Sequence, residues 1–61
     1  MYRLTMLTIE NVVSANADTH FEIWEIVNST HRVTDVRVIE VLATGDEREL
    51  SKAEVLEIVS L

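Results

Sequence analysis

His20 and His31 are the two histidines of this 61-residue sequence, the residue type most used for proton transfer. His20 could pair with Glu25 or a neighbour for acid–base work, and His31 falls in a connection. Around them there is no Ser/His/Asp order, no glycine-rich phosphate loop and no His-x-x-x-His spacing. Glu22 and Glu25 fall on a helix surface with nothing to desolvate them, so neither is expected to gain the raised pKa that acid catalysis needs. The two histidines sit on different elements and there is no Cys, so no metal or cofactor site is expected. A chain this short also leaves little room for a pocket of several hundred Å³. The expectation is that this is not an enzyme.

Other residues suit binding better. Asp35 and Arg37 stand two apart among apolar neighbours. They read either as a specificity pair at an interface, where arginine is enriched, or as a surface ion pair of small consequence. Trp24, the only tryptophan, is a partner anchor or, among Phe21 and Val27, part of the core. Asp18, Glu22 and Glu25 form an acidic stripe, with Glu10 and the Asp46/Glu47/Glu49 cluster elsewhere. The stripe is a solvated face or an imitation of nucleic-acid phosphates.

The elements that must position these residues follow from pattern. Arg32 to Leu42 is the densest β-branched run and is expected to be the middle of the fold. Tyr2 to Val13 reads as a first strand, with a phase change at Met6-Leu7 that fits a bulge or apolar groups on both faces. Ser14 to Thr19 reads as a break, with Asn16 or Asp18 as helix N-cap. Residues 17–28 do not alternate as a strand should. As a helix they place Asp18, Glu22, Glu25 and Ser29 on one polar stripe, leaving Phe21, Ile23, Trp24, Ile26 and Val27 as an apolar arc. Such a helix, about 18 Å long, returns the chain beside its start, so the second strand is expected parallel to the first. Asp46 to Glu49 reads as a solvated loop. Leu50 to Leu61 carries a capping box, Ser51 to Glu54, and also alternates, so a helix or a third strand both fit. The expected fold is α/β, a small sheet built on a β-α-β unit with a C-terminal helix (or third strand), in one domain spanning 1–61.

A chain this short buries only about 60% of its unfolded surface, so a further staple is expected. Without Cys, that staple is a second copy or a partner. The formal charge of −6 disfavours direct contact with nucleic acid or an anionic membrane and suits a basic surface. No apolar run is long enough to cross a membrane, and the first residues are too short and polar for a signal peptide, so a cytoplasmic protein is expected. The central strand has apolar residues on both faces: Thr34, Val36, Val38, Glu40 and Leu42 on one, Val33, Asp35, Arg37, Ile39 and Val41 on the other. One layer of helix covers one face. The second face is therefore expected to be the partner-binding or dimer face, with Asp18, Glu22 and Glu25 as secondary candidates.

Residues 14–27 followed by Arg32-Val-Thr-Asp-Val-Arg-Val resemble very small phage early proteins of the host RNA polymerase inhibitor type. There an acidic helix leads into a Val-Thr-x-Val-Arg strand. The resemblance covers about 25 residues. It implies that Arg37 matches one of two arginines that engage the polymerase, with Asp35 at the position of the other. That family's hairpin before the helix is not expected in the residues preceding Ser14. The function expected is a small acidic, non-catalytic protein-binding module, homodimeric or bound to a host protein, with a phage or mobile-element inhibitor as one form. The alternatives are a nucleic-acid mimic that blocks a DNA-binding protein, and a small enzyme or ligand-binding subunit with a site lined by His20 or His31 at a dimer seam.

Overall fold

The computed structural model describes residues 1–60. Six elements follow in order: β1 (Tyr2–Thr8), β2 (Val12–Ala17), α1 (His20–Ser29), β3 (Val33–Val41), β4 (Glu47–Glu49) and α2 (Lys52–Val59). The strands form one sheet in the order β2-β1-β3-β4, and every neighbouring pair is antiparallel. With two helices on one face, this is a mixed α/β fold.

The stretch expected as a single strand from Tyr2 to Val13 is a hairpin. One threonine holds its turn. The Thr8 N–H donates to the Asn11 carbonyl at 2.9 Å, and the Thr8 hydroxyl accepts from the backbone N–H groups of Glu10 and Asn11 at 3.2 and 3.0 Å. No Gly or Pro marks this reversal, which is why pattern alone ran the strand through it. Both accounts of the Met6-Leu7 phase change apply. The β1–β3 register shifts between Leu7 and Thr8, and Leu7 lies on the uncovered face. Ser14 to Ala17, expected as a break, complete β2. The helix cap falls to Thr19 rather than Asn16 or Asp18; its side chain accepts from the Glu22 N–H at 3.1 Å.

The added reversal changes the sense of the sheet. A single strand followed by a helix would return the chain parallel; a hairpin followed by a helix returns it antiparallel to β1. β3 is therefore antiparallel to β1, not parallel. The β-α-β unit exists in split form as β2-α1-β3, two mutually parallel strands with β1 between them. The middle of the fold shifts with it. β1 is paired along both sides, whereas β3 has β4 beside it only from Ile39 to Val41. The charge run expected as a loop supplies that short strand, Glu47–Glu49, after a turn in which Gly45 takes a positive φ of 93°.

Side chains of one parity converge beneath the helices. Leu4 of β1, Val38 of β3 and Ile23 of α1 belong to one buried cluster, and these three and Met6 of β1 are essentially solvent-free. Ala17, Leu50, Val55 and Ile58 complete the buried set. α1 lies over β2 and β1, and α2 lies over β3 beside α1. The C-terminal segment is a helix as far as it is described, and Leu61 lies outside the described residues. Its capping box is formed in full: Glu54 N–H to Ser51 Oγ at 3.2 Å and Ser51 N–H to Glu54 Oε1 at 3.0 Å. The apolar arc of α1 is narrower than its pattern implies. Ile23 is buried and Ile26 and Val27 pack on the core, but Phe21 is exposed and Trp24 is half-buried. Trp24 stacks on Phe21 instead, with ring centroids 5.7 Å apart.

Leu4→Ala is expected to lower stability by about 2–5 kcal/mol, because a fully enclosed side chain leaves a cavity. Thr5→Ala, one residue along and on the uncovered face, is expected to stay within about 0.5 kcal/mol of the parent. Urea denaturation followed by circular dichroism measures both, and equal losses would contradict the one-sided core.

Candidate functional site

The face of the sheet turned away from the helices is built in four rows set by register. Val12, Leu7 and Asp35 stand side by side at the hairpin end. Ser14, Thr5 and Arg37 follow, then Asn16, Arg3, Ile39 and Glu49, with Val41 opposite Glu47 beyond. The hairpin end is apolar and open: Leu7, Ile9 and Val12 are 44%, 59% and 59% exposed. The far end is roofed by charge. Arg3 of β1, opposite Ile39, reaches across β3 to Glu47 of β4, opposite Val41, at 2.7 Å. Arg37 makes a two-pronged contact with Glu49, Nη2 to Oε1 at 2.8 Å and Nε to Oε2 at 3.1 Å. The arms of such arginines shield apolar neighbours while the charged heads stay wet, and Ile39 and Val41 are half-buried as a result.

The hydrogen bond from Arg37, and the charge behind it, hold the Glu49 carboxyl below the usual carboxylate range. On the helix side Arg48 donates to both Glu40, at 3.1 Å, and Glu54, at 3.2 Å. Glu54 is also held low, first by the Ser51 N–H of the capping box and then by Arg48.

The expected binding residues separate into two groups. Asp35, Arg37, Ile39 and Val41 share the uncovered face. Val33 stands opposite Thr8 because of the register shift, on the parity of Leu4 and Met6. Asp35 is turned to its own backbone, accepting from the Val36 N–H at 3.0 Å, so Arg37 pairs with Glu49 and not with Asp35. Asp18 precedes α1 instead of lying in it. Glu22 accepts from the Asp18 N–H at 3.3 Å and so helps close the helix start, and Glu25 is exposed. His31 is exposed in the turn before β3, beside Arg32 at a positive φ of 57°.

His20 pairs with Tyr2, not with Glu25: Tyr2 Oη lies 3.1 Å from His20 Nε2. That contact borders a cleft of about 490 Å³ between the helices and the β3–β4 end, lined by Glu40, Arg48, Glu54 and Glu57 among others. The chain therefore does form a cleft of several hundred Å³. Sequence reading missed the cleft because Tyr2, Glu40 and Arg48 come from three strands and meet only through register.

Acid should expose the roof. Glu49 and Glu54 titrate lower folded than unfolded, so their stabilisation is complete above the unfolded carboxylate pKa and lost as pH falls through the folded value. The thermal midpoint is expected to hold from neutral pH down to about 5 and to fall below about 4. Glu49→Gln should flatten part of that decline, and an unchanged acid limb would remove the Arg37–Glu49 contact from the account. No family model, curated protein or solved structure matches this chain.

Proposed function

We propose that this chain is a small acidic, non-catalytic protein-binding module whose docking side is the uncovered sheet face. One observation carries the reading: Leu7 and Val12 form an exposed apolar end on a face that no helix covers, with the exposed Ile9 in the adjoining turn and Asp35 and Arg37 at the border. An apolar centre with a charged margin is the usual anatomy of a protein interface. The partner is a second copy or a host protein, and a phage or mobile-element inhibitor acting in the cytoplasm is the form we favour. The resemblance to phage polymerase inhibitors supports that form through Arg37 and the acidic α1. The hairpin before α1, which that family also has, adds to it. Imitation of nucleic acid is less well supported, because Glu40, Glu47, Glu49 and Glu54 face arginines and not solvent cations.

Leu7→Lys tests the reading, since Leu7 is exposed and its replacement should leave the fold intact. Light scattering is expected to give a dimer mass for the parent near 1 mM and a monomer mass for the variant. Host proteins retained by immobilised parent should be lost from the variant. A parent that stays monomeric, together with a retained set that Leu7→Lys does not alter, would overturn the proposal.

The cleft at His20 favours a second reading, a binding site for a small cationic ligand at Glu57, with Glu40 and Glu54 already held by Arg48. Titration with a diamine should then shift the Tyr2 and His20 ring resonances, and unmoved resonances would end it.

A further inference from the structure

The sheet has two edges, and they are guarded very differently. On the β3–β4 side the edge is short and charged, Glu47-Arg48-Glu49. Where β4 stops, Leu50 N–H takes the Val38 carbonyl at 2.9 Å and Asp35 takes the Val36 N–H. These are the usual devices against unwanted strand pairing. The β2 edge has none of them. It runs six residues, Val-Val-Ser-Ala-Asn-Ala, with no charge, no proline and no glycine.

Its hydrogen-bonding groups can be placed. Thr8 and Asn11 are bonded to each other at the hairpin end. Antiparallel alternation from that pair gives Val13, Ala15 and Ala17 to β1 and turns the N–H and C=O of Val12, Ser14 and Asn16 outward. Among the described residues nothing hydrogen-bonds to these groups.

Charge selects the occupant. Residues 4 to 31, which hold β2, α1 and all of β1 after Arg3, carry Glu10, Asp18, Glu22 and Glu25 and no Lys or Arg, and Arg3 itself is paired with Glu47. α1 has α2 along one flank, where His20 borders the shared cleft. Glu22 and Glu25 lie on the side of the helical wheel away from His20, and Asp18 directly follows the last residue of β2. A second copy paired antiparallel at Ser14 would use all three outward residues. It would also set Glu10 opposite the other copy's Asp18 at both ends and bring the two acidic stripes together. An extended basic segment meets the same hydrogen bonds with attraction instead.

We infer that the free edge of β2 accepts an extended, lysine- or arginine-bearing segment of a partner protein as a fifth strand, through the backbones of Val12, Ser14 and Asn16, with Asp18, Glu22 and Glu25 alongside. This rests on the protein-binding reading and assigns it a second surface, the edge as well as the face.

The probe is a peptide of about eight residues alternating threonine or valine with lysine, beside a counterpart carrying glutamate for lysine. Amide resonances of Val12, Ser14 and Asn16 should shift with the basic peptide and not the acidic one. Affinity should fall several-fold as salt rises from about 50 to 200 mM. Ser14→Pro removes an outward N–H that β1 does not use, so the fold should persist and binding drop at least about tenfold. Glu25→Lys, an exposed change that leaves the edge backbone intact, should weaken binding several-fold and serves if the proline variant fails to fold. The masses of the parent and of Leu7→Lys are read without peptide, which separates failure of the face from failure of the edge. Unmoved edge amides, equal binding of the acidic peptide, or edge protection that grows with protein concentration alone would overturn the proposal; the last would make a second copy the occupant.

Discussion

Everything in this fold depends on one-sided burial. Leu4 and Met6 lie enclosed on a strand paired on both sides, and Leu4 clusters with Val38 and Ile23. Each such side chain contributes roughly 1.5–3 kcal/mol when fully enclosed, which is a large share of the stability a domain this size can hold. Two short helices cannot supply a second layer. The opposite face of the sheet must therefore be made compatible with water by other means, and most of the molecule's surface chemistry follows from that need.

The means are ion pairs laid over aliphatic residues. Sequence parity gives β3 three apolar residues on each face, and from that alone the second face should require a partner over its whole length. The fold divides the requirement. Ile39 and Val41 are roofed within the chain by Arg3–Glu47 and Arg37–Glu49, and Val33 stands apart at the register shift. What is left open is the hairpin end, where Leu7 and Val12 lie side by side. Arg37, which suggests a recognition residue when read along the strand, is occupied with Glu49. The stretch of Asp46 to Glu49 that looks like plain solvated charge is the other half of the roof.

Local signals in the sequence carried the parts of the fold that rest on local chemistry. The Ser51–Glu54 capping box and the polar stripe of α1 name their elements correctly because the contacts that form them lie within four residues, and the β-branched run of β3 names its own because branched side chains suit a pleated strand. The hairpin turn was illegible for a specific reason. A Thr8 hydroxyl does the work expected of glycine or proline, and threonine is equally at home inside a strand. Missing that one turn inverted the sense of β3 and moved the centre of the sheet from β1 to β3. The cleft at Tyr2 and His20 and the roof over Ile39 were out of reach for the complementary reason. They join residues up to 44 positions apart, and only the register that the missed turn sets brings them together.

The same register divides the charge of the molecule. Three of its five cations are held in ion pairs on the β3–β4 side, and the half built from residues 4 to 31 has carboxylates alone. Those carboxylates have local tasks as well: Glu22 closes the start of α1. A like-charged flank is itself a deterrent to self-pairing, and it stands beside the one strand edge that lacks charge of its own. An unguarded edge beneath a neutral helix would invite any strand, including another copy. Beneath an acidic helix it discriminates by sign. The acidic stripe and the bare strand are thus two parts of one arrangement: the backbone offers affinity to any extended chain, and α1 restricts which chain can approach.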